Sequence, residues 1–369
     1  MRETPFIDRR RHMAVVSYKC PYCGGELEFD PVSQKYKCPY CLAVLDELPE
    51  DAAKETEEKK ETKETKETKE TKAESQENEE AVLYTCPSCG AEIITDATTA
   101  ATFCYYCHNP VVLSGRLEGK YLPDMVVPFQ LDKKKATESF LSFVKKKKFV
   151  PTAFFNKNQI EKLTGVYYPY WTCTAKGRAS AHGEGRNIKV WRSGDTEYTE
   201  TDVYAVDREG SIAVQNVMRG ALKKADHQLA EGVWPFALDK GVSFQTGYLS
   251  GFQAEKRDVE KADIREEVQK DIQKYGKKAV RESMSGYDSL DLKQCDIQAD
   301  KEEWNYMLLP VWVLTYRDKA GKKYYYAMNG QNGNFAGKLP VDKGKLTALF
   351  FAVAVPVFLA CLAGGWYLL

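Results

Sequence analysis

Eight of the eleven cysteines stand in four pairs, with two residues between the partners of each pair. The pairs are themselves grouped in twos, and 14 residues separate the two pairs of each group. This spacing lets two tight turns bring four thiolates around one ion as a tetrahedron, the usual geometry of a structural zinc site. We therefore predict two zinc ions per chain. The predicted ligands are Cys20, Cys23, Cys38 and Cys41 for one ion, and Cys86, Cys89, Cys104 and Cys107 for the other.

Each group has the form of a zinc ribbon. Gly24 and Gly90 follow the second cysteine of the CPxC pairs, where the turn needs a positive φ. The segments between the pairs alternate as short strands do, which predicts a hairpin in each ribbon. Disulfides are disfavoured in a reducing compartment, whereas a rubredoxin-like iron site uses the same four thiolates and stays open as an alternative.

No other group of residues predicts catalysis. Four protein ligands leave no open position on either ion, so we expect neither site to be an enzyme centre. Cys173 and Cys361 are interpreted as small buried hydrophobic residues. A third metal site formed by Cys173, His182 and Cys295 is a less favoured alternative. The sequence contains no recognisable Walker loop or Ser-His-Asp set, and we predict that the protein is not an enzyme.

The charge balance hides a strongly acidic segment. The chain has 53 Lys and Arg against 53 Asp and Glu. Residues 46–80 hold 7 Lys and 15 Asp or Glu, a net charge of −8, so the remainder carries +8. A Lys-Glu-Thr repeat at 59–72 places like charges three residues apart on a helix, which favours a mostly disordered tether over 48–81. Residues 1–13 are expected to be a disordered extension, since Met13 offers a second start.

The mixture of helical and strand-like patterns in residues 115–341 predicts an α+β domain. The segment MVVPFQL (125–131) is predicted to be a strand. Asp132 is the predicted N-cap of a helix that extends through Lys148. Apolar periodicity predicts a second helix within 254–284. Two aromatic and β-branched runs, at 165–175 and 306–317, predict strands that share a Pro-x-Trp pattern, and NGQNG (329–333) predicts a hairpin turn.

The last 24 residues, from Leu346 to Leu369, contain no charge. A helix of that length spans about 36 Å, enough for a bilayer core. The preceding Lys338, Lys343 and Lys345 predict that the N-terminal part stays in the cytoplasm, and reduced thiolates require the same side. Trp366 and Tyr367 are expected at the far interface.

The predicted fold class is therefore α+β and multidomain, with two small β zinc ribbons, a central α+β domain of antiparallel strands and one C-terminal transmembrane helix. Its predicted parts are a disordered N-terminus (1–13), ribbon one (14–47), the tether (48–81), ribbon two (82–114), the central domain (115–341) and the membrane helix (346–369). The tether is expected to uncouple the two ribbons, so that loss of one site leaves the other intact.

These motifs together resemble a known family. The CPxC ribbons are similar to transcription-factor-B-type (TFIIB-type) zinc ribbons. With GVYYPYW, LPVWVLTY, the NGQNG turn and the apolar tail, nearly all of 14–369 resembles the YdjG-type zinc-ribbon membrane proteins of Gram-positive bacteria. The resemblance implies a membrane anchor or adaptor associated with SPFH-domain and PspA-like envelope-stress proteins. It supplies no catalytic residue, and only the eight cysteines carry over.

A membrane-tethered nucleic-acid-binding ribbon protein is the alternative function. Affinity for nucleic acid comes mainly from neutralising phosphates. The basic residues of ribbon one are accompanied by Glu26, Glu28 and Asp30, and ribbon two has almost none. We therefore expect protein partners and the lipid bilayer, and do not expect nucleic acid.

Overall fold

A computed structural model of the chain describes residues 15–48, 82–151, 162–225, 227–317, 322–337 and 339–368. The predicted disordered N-terminus (1–13) and all but the first residue of the predicted tether (48–81) lie outside the described residues.

The described residues contain fifteen strands and four α-helices. The helices are α1 (Lys133–Lys145), α2 (His227–Gly232), α3 (Lys261–Ser283) and α4 (Lys343–Leu368). The strands are β1 (Glu28–Asp30), β2 (Lys35–Lys37), β3 (Val44–Leu45), β4 (Val82–Thr85), β5 (Glu92–Thr95), β6 (Thr99–Phe103), β7 (Pro110–Val112), β8 (Met125–Val126), β9 (Thr164–Ser193), β10 (Thr196–Gly220), β11 (Val242–Ser243), β12 (Gln253–Glu255), β13 (Ser289–Arg317), β14 (Lys323–Asn329) and β15 (Phe335–Gly337).

The strands form three sheets, and one of them dominates. A ten-stranded sheet has the order β11-β8-β13-β9-β12-β6-β7, with β10 paired to β9, and β14 and β15 added beside β13. Its pairs are antiparallel except for β12 with β9 and β13 with β8. Strands β1, β2 and β3 form a small sheet, and β4 pairs with β5. The predicted α+β class is confirmed, and the central sheet is mixed rather than purely antiparallel.

The two predicted aromatic runs are parts of much longer strands. Strand β9 has 30 residues and β13 has 29, so each extends about 95–100 Å. The run at 165–175 begins β9, the run at 306–317 ends β13, and the two pair antiparallel at the base of the sheet. Tyr168 pairs with Leu309, the equivalent position of the other Pro-x-Trp motif, so the two motifs are related by a local two-fold axis.

Beyond this base, β9, β10 and β13 continue as a three-stranded arm that sequence reasoning missed. Helix α3 covers one face of the arm and buries Val268 and Ile272 against Cys173 and its neighbours. The predicted helix starts later than expected, at Lys261, because Gln253–Glu255 pairs between β9 and β6.

Helix α1 begins where the sequence predicts. The side chain of Asp132 accepts a hydrogen bond from the backbone N–H of Lys135 at 2.7 Å, which caps the helix. The helix ends at Lys145 rather than Lys148. The strand predicted at 125–131 is only two residues long, since Pro128 cannot donate to a ladder and the following backbone N–H groups of Gln130 and Leu131 bond to Gly330 in the predicted turn.

Helix α4 contains the apolar C-terminal segment. It begins at Lys343, contains Pro356, and is the one helix of the described residues that is long and apolar enough to cross a membrane. Its described apolar side chains are exposed, as at Phe350, Val355 and Leu359. The side chains of Trp366 and Tyr367, predicted at the far interface, lie outside the described residues.

Candidate metal centres

The structure brings the eight predicted ligand cysteines together in two groups of four. All the sulfur atoms within a group lie within 4.8 Å of one another. In the first group the Cys20–Cys41 and Cys23–Cys38 sulfur pairs are 3.6 and 3.4 Å apart. In the second group the Cys86–Cys107 and Cys89–Cys104 sulfur pairs are both 3.7 Å apart.

These separations fit a tetrahedral metal site. Four sulfurs bonded at about 2.3 Å to one ion have edges of about 3.8 Å, whereas a disulfide needs about 2.05 Å. All eight cysteines are free thiols. Each group could therefore hold one metal ion with its sulfurs where they are.

The four Cys-x-x-Cys turns, which we call the knuckles, share one backbone hydrogen-bond pattern. In the first, the N–H of Gly24 donates to the carbonyl of Cys20 at 2.8 Å, and the other three repeat this bond at 2.9–3.0 Å. The residue after the second cysteine is left-handed in every knuckle: Gly24 (φ +72°), Leu42 (+61°), Gly90 (+73°) and His108 (+59°). Glycine marks two of these positions in the sequence. The other two have no sequence signal, because Leu and His rarely adopt this φ.

The first cysteine of every knuckle anchors it in a hydrophobic core. Cys20 and Cys38 are buried with Tyr18 and Leu27. Cys86 and Cys104 are buried in a separate core of ribbon two with Tyr84, Val111 and Leu113. The second cysteine of each knuckle is exposed or half-buried. Apolar packing therefore holds two of the four cysteines of each group, and the knuckle turns position the other two.

Backbone hydrogen bonds favour ionisation of one thiol in each group. Those from Cys41 and Tyr40, working against burial, lower the pKa of Cys38 to about 7. Burial raises the pKa of Cys104, but backbone N–H groups outweigh it and bring that pKa also to about 7. The pKa of Cys107 rises to about 12, because burial and the adjoining sulfurs favour its protonated form. A divalent cation is what allows all four thiols to ionise together.

The second ribbon differs from the expected hairpin. In ribbon one, β1 and β2 connect the knuckles and pair with each other. In ribbon two, the corresponding strands β5 and β6 do not pair together, since β5 pairs with β4 while β6 pairs with β7 and β12. The second site is consequently built on the edge of the ten-stranded sheet.

The two ribbons are in contact, although the tether was expected to uncouple them. Val16 and Val112 exchange two backbone hydrogen bonds, of 2.9 and 3.2 Å, which join the start of ribbon one to β7. The hydroxyl of Ser88, in a knuckle of ribbon two, donates to the carboxylate of Glu26 at 2.5 Å. The tether lengthens the chain between the ribbons, but tertiary contacts join them.

Ribbon one also packs on the central domain. The N–H of Phe29 donates to the carbonyl of Ser250 at 3.0 Å, and Phe29 and Tyr36 belong to the large hydrophobic core. Among the described residues, only the two four-cysteine groups gather metal-binding side chains closely enough for an ion. The less favoured third site is not assembled: Cys295 pairs with Ala181, while buried Cys173 lies beside Trp304, far along the same strands.

The left-handed glycines of the knuckles allow backbone strain to be tested separately from steric clashes. A Cβ at Gly24 would meet nothing within 4 Å, so Gly24→Ala adds no clash and costs only the left-handed conformation, about 1–2 kcal/mol. We expect a correspondingly lower midpoint for metal release in a chelator titration. The control is Gly210→Ala, also in open space but without a positive φ, which should leave the midpoint unchanged. Equal midpoints for the two variants would contradict the strain argument.

Comparison with known proteins gives one informative relative. The chain is 30% identical over 249 residues to YdjG, an uncharacterized protein of Bacillus subtilis (strain 168). The matched region covers 68% of this chain and 73% of that protein. No protein-family model matches the chain, and no solved structure matches it.

Proposed function

This chain belongs to the YdjG family, and from that premise we propose that it is a membrane-anchored zinc-ribbon adaptor. It carries two structural zinc ions, is held to the membrane by α4, and presents a protein-binding surface on the cytoplasmic side. The partners we propose are SPFH-domain or PspA-like envelope-stress proteins, which rest on the family resemblance and not on the geometry of the sites.

Zinc is the metal that the ligand sets favour. Four thiolates in a closed tetrahedron are typical of structural zinc, which needs no open position and no redox partner. Iron can bind to the same four thiolates, and elemental analysis of the purified protein distinguishes the two metals. Since the protein supplies all four ligands of each site, we propose a folding role for the ions and no catalytic one.

Exposed tyrosines on the knuckles are the observation that carries the adaptor proposal. Tyr22, Tyr40, Tyr105 and Tyr106, which we call the knuckle tyrosines, are 74, 67, 68 and 71% exposed. Tyrosine is enriched at protein–protein interfaces, because its ring buries a large area at low entropic cost and its hydroxyl finds a partner. A bound metal would fix the backbone of each knuckle, so the positions from which these four rings project would be set before a partner binds.

Aromatic rings also stack on nucleobases, so charge separates this proposal from its alternative. Nucleic-acid affinity needs basic residues near the rings. Residues 82–114 contain no Lys or Arg. In ribbon one, Lys35 is paired with Asp46 at 2.6 Å. These charges support a protein partner over a phosphate backbone.

The test is crosslinking of the full chain in its native membrane, followed by purification and identification of the attached protein. We expect an SPFH-domain or PspA-like protein to be recovered with the wild type. Its yield should fall at least severalfold in Tyr22→Ser/Tyr40→Ser, because tyrosine is enriched among the few hot-spot residues of an interface, each of which contributes about 2 kcal/mol or more, a factor of about 30.

The matched control is Tyr275→Ser/Tyr325→Ser, which removes two exposed tyrosines outside the ribbons. This control should retain the partner. Equal recovery by both double variants would count against the knuckle surface. Recovery of nucleic acid in place of protein would favour the alternative function.

A further inference from the structure

The start of the apolar helix is fastened to a distant part of the sequence. The N–H of Asp342, immediately before α4, donates to the carbonyl of Phe149 at 2.7 Å. The ammonium of Lys345 donates to the carbonyl of Val150 at 2.8 Å. Val150 is buried, so this anchor point is part of the core. The loop that follows α1 is thereby held beside the point where the charge-free segment begins.

This contact gathers six lysines that are separated by almost 200 positions in the sequence. They are all exposed, and none has a carboxylate within 4.0 Å in the part of the chain that the structure describes. We call them the juxtamembrane lysine cluster: Lys145, Lys146, Lys147, Lys148, Lys343 and Lys345.

The cluster is only partly compensated by acidic groups. The carboxylate of Asp342 accepts the backbone N–H groups of Gly344 and Lys345, at 3.0 and 3.2 Å, and so caps the start of α4. Counting it against the six lysines leaves +5. Many lysines elsewhere are paired, as Lys224 is with both Asp96 and Glu255. The six lysines, with a net charge of +5 once Asp342 is counted, therefore lie where the helix would enter a bilayer.

We propose that the juxtamembrane lysine cluster binds the headgroups of anionic phospholipids. The inference rests on the proposed membrane insertion of α4, which would place the lysines beside the headgroups. At physiological salt, charges attract each other over about 8 Å before screening becomes strong. Clusters of four to eight basic residues on the cytoplasmic side of a membrane helix bind anionic lipids in this way. The exposed, open arrangement suits a charged surface better than a single small anion.

The lysines at 145–148, at the C-terminal end of α1, also interact favourably with the dipole of that helix, and this effect needs no lipid. The lipid dependence of the lysines is therefore the property to measure. Each basic residue near an anionic surface strengthens association about fivefold, so loss of three weakens it roughly a hundredfold.

The experiment is amine acetylation of the full chain in lipid nanodiscs, with each lysine quantified by mass spectrometry. Discs of phosphatidylcholine alone are compared with discs that also contain phosphatidylglycerol. We expect phosphatidylglycerol to slow acetylation of the six cluster lysines severalfold, and high salt to reverse this. Lys277 and Lys278, exposed on α3, should react equally in both discs.

Two triple variants, placed at opposite ends of α1, are matched in charge. Lys145→Gln/Lys146→Gln/Lys147→Gln should abolish the slowing at Lys148, Lys343 and Lys345. Substituting glutamine at 133, 134 and 135, at the other end of α1, should leave it intact. All substituted positions are exposed, and retention of the wild-type metal content verifies folding.

Three outcomes would overturn the proposal. Equal acetylation in both kinds of disc would contradict the binding of anionic lipid, but it would not contradict the proposed membrane anchor. The same slowing by soluble glycerol phosphate or by duplex DNA, added to discs without phosphatidylglycerol, would assign the cluster to another ligand. A chain that does not enter the discs would contradict the proposed anchor itself, and this inference with it.

Discussion

The substitution Cys23→Ser is expected to lower the zinc content from two ions per chain to one and to unfold ribbon one. Cys23 is exposed, so its replacement leaves the packing of the core unchanged and reports on the metal. A structural zinc contributes about 10–16 kcal/mol in zinc-finger peptides, and loss of one of four thiolates removes a large part of this. We expect the second ion to remain, because its ligands are held by a separate core and by β6 and β7, the last two strands at one edge of the large sheet.

Unfolding of ribbon one should extend into the central domain. Phe29 and Tyr36 would leave the large core, so the thermal midpoint of the whole chain should fall as well. Cys361→Ser is the control, since Cys361 is also exposed but lies outside both groups. It should keep two ions and the wild-type midpoint. An unchanged midpoint in Cys23→Ser would show that the contacts between ribbon one and the core contribute little.

Deletion of 346–369 is expected to move the protein from the membrane fraction to the soluble fraction with both zinc ions bound. No described residue of α4 beyond Lys345 belongs to a hydrophobic core, so the deletion removes no packing from the ribbons or the sheet. Fractionation of cells and elemental analysis of the soluble product check both parts. Replacing the segment with an unrelated apolar span of equal length should restore the membrane fraction. A truncated chain that remains on the membrane would show that another surface anchors it.

The orientation of the anchor is tested by labelling in intact cells. A cysteine placed after Leu369 should react with a membrane-impermeant thiol reagent, while one placed within 59–72 should not. The expectation follows from the lysines before the span and from the reducing environment that the thiolates need. The reverse pattern of labelling would invert the topology.

The ligand cysteines were predictable because metal ligation depends on short-range spacing. Two residues between partners define a knuckle, and Gly24 and Gly90 report its left-handed turn directly. Leu42 and His108 adopt the same turn without a matching residue type, so no local signal marks them. The docking of the ribbons was missed for another reason. Contacts such as Phe29 with Ser250 join residues over 200 positions apart, and neither composition nor periodicity encodes them.

The long arm was also hidden from sequence reasoning. Glycines interrupt the alternation of β9, and glycine normally weakens a strand. The structure requires it here: a Cβ on Gly177 would lie 1.8 Å from the carbonyl oxygen of Gln298, and one on Gly183 would lie 2.4 Å from that of Asp291. The available clue was Gly194 followed by Asp195, which forms the hairpin turn between β9 and β10.

The metal content of the full chain purified from membranes tests the central claim most directly. Elemental analysis combined with X-ray absorption at the zinc edge gives both the number of ions and their ligands. We expect two zinc ions per chain, each surrounded by four sulfur atoms at about 2.3 Å. Fewer than two zinc ions, iron in their place, or nitrogen and oxygen among the ligands would contradict it.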